Sequence, residues 1–77
     1  MKYPQVRVVW YDAESFDEWT KVEDLDTKPK PIITLGHLIK DDDEYLVLAM
    51  NLDAENKSLS MTMALPNHWV ESVEYLD

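Results

Sequence analysis

Between Tyr45 and Leu65, large apolar residues recur at every second position, in two runs split by the polar stretch Asp53-Ala54-Glu55-Asn56-Lys57. A period of two belongs to β-strands, whose successive side chains point to opposite faces. The first run, Tyr45 to Leu52, turns Leu46, Leu48, Met50 and Leu52 to one side; the second turns Leu59, Met61, Met63 and Leu65 inward. Met50, Met61 and Met63 are therefore expected in the core rather than on an adaptable binding surface. Three further segments fit strands. Val6-Arg7-Val8-Val9-Trp10-Tyr11 is rich in β-branched and aromatic residues. Ile32, Ile33, Leu35, Leu38 and Ile39 form another apolar run, in which Gly36 suggests a bulge or sharp bend. Trp69 to Leu76 follows a break at Pro66-Asn67-His68. Five such strands with tight turns predict an all-β chain, folded as a small antiparallel barrel or a strongly bent sheet.

Seventy-seven residues make one domain, 1–77, near the lower size limit for folding without a staple. The chain has no cysteine, so no disulfide helps it and nothing points to an oxidising compartment. Apolar burial must supply the stability, and oligomerisation is a frequent remedy at this size. Met1 to Gln5 lacks the apolar run of a signal peptide, and no segment approaches the roughly 20 apolar residues that span a bilayer. A cytoplasmic location is the expectation.

Charge is segregated. Seven of the sixteen acidic residues (Asp12, Glu14, Asp17, Glu18, Glu23, Asp24 and Asp26) fall in one stretch opposed only by Lys21, and Asp41, Asp42, Asp43 and Glu44 are consecutive. A net charge of −9 repels nucleic acid and anionic membranes and attracts basic protein surfaces. Within the first stretch, Ser15 and Glu18 have capping-box spacing, and Phe16, Trp19, Val22 and Leu25 recur every third residue. A short helical turn or an irregular loop pinned by Trp19 both satisfy that pattern. Asp41 to Asp43 read as a turn.

Leu65-Pro66-Asn67-His68-Trp69-Val70 resembles the strand, 3₁₀ turn, strand corner of SH3 domains, and Ile33 to Leu38 followed by acids and Val47 resembles the first Sm motif. The whole chain is similar to small acidic proteins of tailed bacteriophages and prophages. The resemblance implies a five-stranded SH3-like or Sm-like barrel with a short helical turn between its first two strands. No tryptophan lies between Ile32 and Leu65, and the loop Asp42-Asp43-Glu44-Tyr45 is acidic, so neither proline-rich peptides nor RNA is the expected ligand.

No catalytic constellation is present. His37 and His68 lack metal-ligand spacing, and Ser58, Ser60 and Ser72 lack a glycine elbow. The Asp41–Glu44 acids do not have calcium-loop spacing and read as a solvated turn that keeps strand edges apart. Neither a cofactor nor a metal is implied. Of Trp10 and Tyr11, on opposite faces of a strand, one should point outward, and exposed aromatics bordered by acids make a protein interface. The expected function is therefore that of a non-enzymatic, phage-type interaction protein. It would dock Asp12–Asp26 and Asp41–Glu44 on a basic surface of a host protein, with Trp19 and Tyr45 as anchors, inhibiting or redirecting that protein. The carboxylates could act as a nucleic-acid mimic. The alternative is a homo-oligomeric barrel with a structural or ligand-holding role.

Overall fold

The computed structural model describes residues 2–12, 19–24 and 30–76. Strands β1 (Gln5–Tyr11), β2 (Pro31–Asp41), β3 (Tyr45–Leu52), β4 (Leu59–Pro66) and β5 (Val70–Tyr75) form one antiparallel sheet in the order β4-β3-β2-β1-β5. Two 3₁₀ turns join it, Val22–Asp24 between β1 and β2 and Asn67–Trp69 between β4 and β5. The all-β class, the five antiparallel strands and the helical turn after the first strand agree with the sequence reading. The sheet is not closed, and β4 and β5 are its edges.

It is nevertheless strongly curled, as its pairings require. Pro66 lies opposite Tyr45, just past the end of β2, while Val70 lies opposite Trp10, which pairs with Ile32 near the start of β2. In a flat sheet those two positions would be roughly 35 Å apart, about 19 Å across four strand spacings and about 30 Å lengthwise. The four residues from Pro66 to Val70 reach at most about 14 Å. Only a bent sheet lets so short a corner join β4 to β5. Bulges accompany the bend, one between Leu38 and Lys40 against β3 and one at Val9/Trp10 against β5.

The core lies on the concave face. Val6, Val8, Trp10, Leu46, Leu48 and Leu65 are buried, with Ile32, Leu38, Met50, Trp69, Val70 and Val73 packed against them. Each fully buried Val or Leu contributes roughly 1.5–3 kcal/mol. Trp10 takes the inward direction and donates from Nε1 to Thr34 Oγ1 at 2.9 Å, so its one polar atom is satisfied. Its ring stacks on Trp69, with centroids 6.5 Å apart and planes within 5°. The 3₁₀ corner is thereby tied to the core.

Three expectations need correction. Leu59 and Met63 do share the inward-facing side of β4 with Leu65, but only Leu65 is buried; Met61 drops out of the ladder with β3 and is 71 % exposed. β4 is an edge strand of an open sheet, so among the described residues nothing covers that half of the face. Gly36 marks neither bulge: it pairs regularly with Val6, and its role is close approach. A Cβ there would lie 2.9 Å from Met50 Cε and 3.1 Å from the Ala49 carbonyl oxygen. Finally, Trp19 and Val22 stand in solvent, so neither pins its segment to the sheet. Ser15, Phe16 and Leu25, the rest of that pattern, lie outside the described residues.

Candidate functional site

The four consecutive acids connect β2 to β3, and one of them is committed to the backbone. Asp42 Oδ1 accepts the amides of Glu44 and Tyr45, each at 2.8 Å, and the Asp42 amide donates to the Tyr45 carbonyl at 3.1 Å. Oδ2 pairs with Lys40 Nζ at 3.2 Å. The Tyr45 amide, then the Glu44 amide, then the Lys40 ammonium favour the ionised form and pull the Asp42 carboxyl down to about 2 from 3.8. Asp42 thus builds the turn rather than projecting from it. Asp41, Asp43, Glu44 and Tyr45 are exposed around it.

Strand register brings a second segment alongside. Tyr45 pairs with Pro66, and the residue after Pro66 clamps the turn: the Asn67 amide donates to the Glu44 carbonyl at 2.9 Å, and Asn67 Nδ2 donates to the Asp42 carbonyl at 2.5 Å. Two hydrogen bonds thus tie the acidic turn to the 3₁₀ corner. Between them lies an open cleft of about 430 Å³ lined by Asp43, Glu44, Tyr45, Pro66, Asn67 and His68. Two carboxylates and a half-exposed phenol ring on one concavity suit a cationic side chain, which can pair with carboxylate and lie over an aromatic face.

The remaining predicted partner-binding residues separate into groups. Asp12 is exposed just beyond β1, and Glu23 is exposed in the Val22–Asp24 turn that also contains Asp24. Trp19 is fully exposed. Glu14, Asp17, Glu18 and Asp26 lie outside the described residues. Close to where β1 ends, Tyr11 donates its hydroxyl to Glu71 Oε2 at 2.9 Å, and that bond raises the phenol's pKa. The corner Asn67–Trp69 therefore has the acidic turn at one end and the β1 terminus at the other.

Sequence reasoning placed Tyr45, Asp43 and Glu44 in a binding surface but did not include Pro66, Asn67 and His68. The available signal was Pro66, which ends β4; without the register nothing said which turn it would face. The second polar loop is also structural. Asp53 accepts the Lys57 amide at 2.8 Å and the Ser58 hydroxyl at 2.9 Å, and these bonds lower its pKa. His37 Nδ1 lies 3.1 Å from the Tyr3 carbonyl oxygen, which fastens the segment before β1. Among the described residues no three His, Cys, Asp or Glu side chains converge to hold a metal, and no helix is long and apolar enough to cross a membrane. Compared with known proteins, the chain matches no family model, no curated protein and no solved structure.

Proposed function

We propose that this is a non-enzymatic interaction protein that seats a basic side chain of a partner protein in the cleft between the acidic turn and the 3₁₀ corner. The observation that carries the reading is the convergence of Asp43, Glu44 and Tyr45 with Pro66, Asn67 and His68 around one concavity, whose two sides Asn67 bridges by hydrogen bonds. The bridging matters because a preorganised cleft spends little entropy on capture. The net charge of −9 steers basic surfaces toward it, and Tyr45 supplies the apolar contact. The resemblance to small phage proteins makes a host protein with a basic, nucleic-acid-binding surface the proposed partner, and inhibition or redirection the proposed outcome. The strand order, the curl and the 3₁₀ turn between β4 and β5 support an SH3-like or Sm-like reading of the fold.

The test captures partners on the tagged protein from bacterial lysate at low and high salt. The same capture is repeated with Asp43→Lys plus Glu44→Lys, and with Glu23→Lys plus Asp24→Lys. A basic protein that is lost with salt and with the first pair, while the second pair keeps most of it, supports the cleft. Loss only with the second pair moves the site to the Asp12–Asp26 segment, and retention by both variants overturns acidic docking altogether.

A further inference from the structure

We propose that the β4 edge is a self-recognition surface, on which two copies of this chain pair antiparallel about a two-fold axis through Thr62. This reading does not depend on the acidic cleft. Three observations carry it. β4 is an edge strand whose first six residues are exposed, so among the described residues one side of its backbone has no strand partner for its N–H and C=O groups. Its sequence, Leu59-Ser60-Met61-Thr62-Met63-Ala64-Leu65, reads almost identically in both directions about Thr62. An isologous interface needs a patch that is complementary to itself, and an antiparallel pair centred on Thr62 meets that need. It sets Leu59 against Leu65, Met61 against Met63, Ser60 against Ala64 and Thr62 against its own copy. Leu59, Met63 and Leu65, which the β3 register sets on one side of β4, then fall on one continuous face with their copies.

Electrostatics selects this edge over the other. Each chain carries −9, so two copies can approach only where like charges are not apposed. Ser58 to Val70 is the longest run without a charged residue, thirteen positions, and it contains all of β4. The opposite edge, β5, carries exposed Glu71 and Glu74, the usual guard against strand addition. Beyond the strand, the same register sets Lys57 of one copy opposite Asn67 of the other, toward the end of the sheet that carries Asp43 and Glu44. The single irregularity is Met61, whose φ of 54° interrupts the ladder with β3 next to the proposed axis.

Sedimentation equilibrium on the full chain tests this directly. The expected species is a dimer, twice the 9.0 kDa of one chain. Thr62→Glu and Thr62→Lys each place like charges on the axis and should weaken association at least roughly tenfold. Mixing the two variants should restore the dimer, because only an isologous contact sets position 62 against itself. Since the chain lacks cysteine, Thr62→Cys adds a second readout independent of affinity. Directly opposed Cα atoms in an antiparallel pair are about 4.5–5.5 Å apart, within disulfide reach, so mild oxidation should crosslink this variant and not Ser72→Cys on β5. Unchanged melting of both charge variants at low concentration shows that they fold. Three results overturn the proposal: a wild-type monomer at millimolar concentration, growth beyond two copies, or Thr62→Lys strengthening association, which would mean that β4 meets the acidic β5 edge instead.

Discussion

Met61 occupies the middle of β4 with φ at 54°, in the left-handed region. For a residue with a Cβ that conformation costs about 1–2 kcal/mol, because the Cβ crowds the following carbonyl oxygen; glycine escapes the cost. The side chain is mostly in solvent and recovers little of it by packing. Comparing alanine with glycine at this position cancels the loss of the side chain and isolates the backbone. Glycine relieves about 1.5 kcal/mol of strain and adds about 0.75 kcal/mol of unfolded-state entropy, so Met61→Gly should be the more stable variant by about 0.75 kcal/mol. At Met63, two residues on along the strand and without a positive φ, the order inverts and Met63→Ala leads by a similar amount. For a domain of this size the gap is a Tm difference of roughly 3–6 °C. Thermal melts followed by far-ultraviolet circular dichroism measure it, at one fixed low protein concentration so that self-association does not contribute. Alanine ahead of glycine at both positions would refute the left-handed conformation, and with it the account of why the ladder skips Met61.

Other consequences are equally checkable. Trp69→Ala removes the ring stacked on Trp10; a fully buried Trp→Ala change costs about 3–5 kcal/mol, so half-buried Trp69 should cost about 2 kcal/mol in urea unfolding, with Trp10 emission moving to the red. Gly36→Ala presses on Met50 Cε and the Ala49 carbonyl and should cost about 1 kcal/mol, and a double-mutant cycle with Met50→Ala should show coupling of at least about 0.5 kcal/mol. Asp42 has a depressed carboxyl pKa, so its stabilising effect is complete above the ordinary value near 4 and is lost as pH falls through about 2. Melting temperature should therefore drop across that window. Asp42→Asn, which keeps an acceptor oxygen but no charge, should flatten the drop, and adding Asp53→Asn should flatten it further, because Asp53 is shifted in the same direction.

The pattern of side chains made the strands legible, but not what lies over them. Periodicity assigned Leu59 and Met63 to the same face as Leu65 correctly, because strand geometry alone decides that. Whether the face is covered depends on how far the sheet closes, a property of register and bend that no local pattern encodes. The same limit explains Gly36: a glycine in a strand suggests a bulge or sharp bend, but no bulge falls there, and what crowds the position is a methionine tip and a carbonyl on the next strand. The acids show a different failure. Four consecutive carboxylates look equivalent in sequence, yet Asp42 bonds to two amides and a lysine, whereas Asp43 and Glu44 line the open cleft. Asn67, which holds that turn against the corner, is separated from Asp42 by 25 positions, so only the β3 and β4 pairing reveals it.

The proposed cleft and the proposed self-pairing edge are neighbours, and their adjacency has a thermodynamic consequence. Pro66 ends β4 and lines the cleft, so the seam between copies runs up to the cleft's rim. In the register centred on Thr62, the incoming copy brings Lys57 level with Asn67, the residue that clamps the acidic turn. A lysine arriving there offers Asp43 and Glu44 the same kind of cation that a basic partner would. Two cations drawn to one pair of carboxylates compete, and the competition must be reciprocal: a partner that fills the cleft weakens the dimer by the same factor by which the dimer weakens the partner. Screening sets the reach of this antagonism, since about 0.15 M salt leaves a Debye length of about 8 Å. At that ionic strength only groups at the shared rim are coupled, and the uncharged residues Leu59 to Leu65 of the seam lie outside the contest.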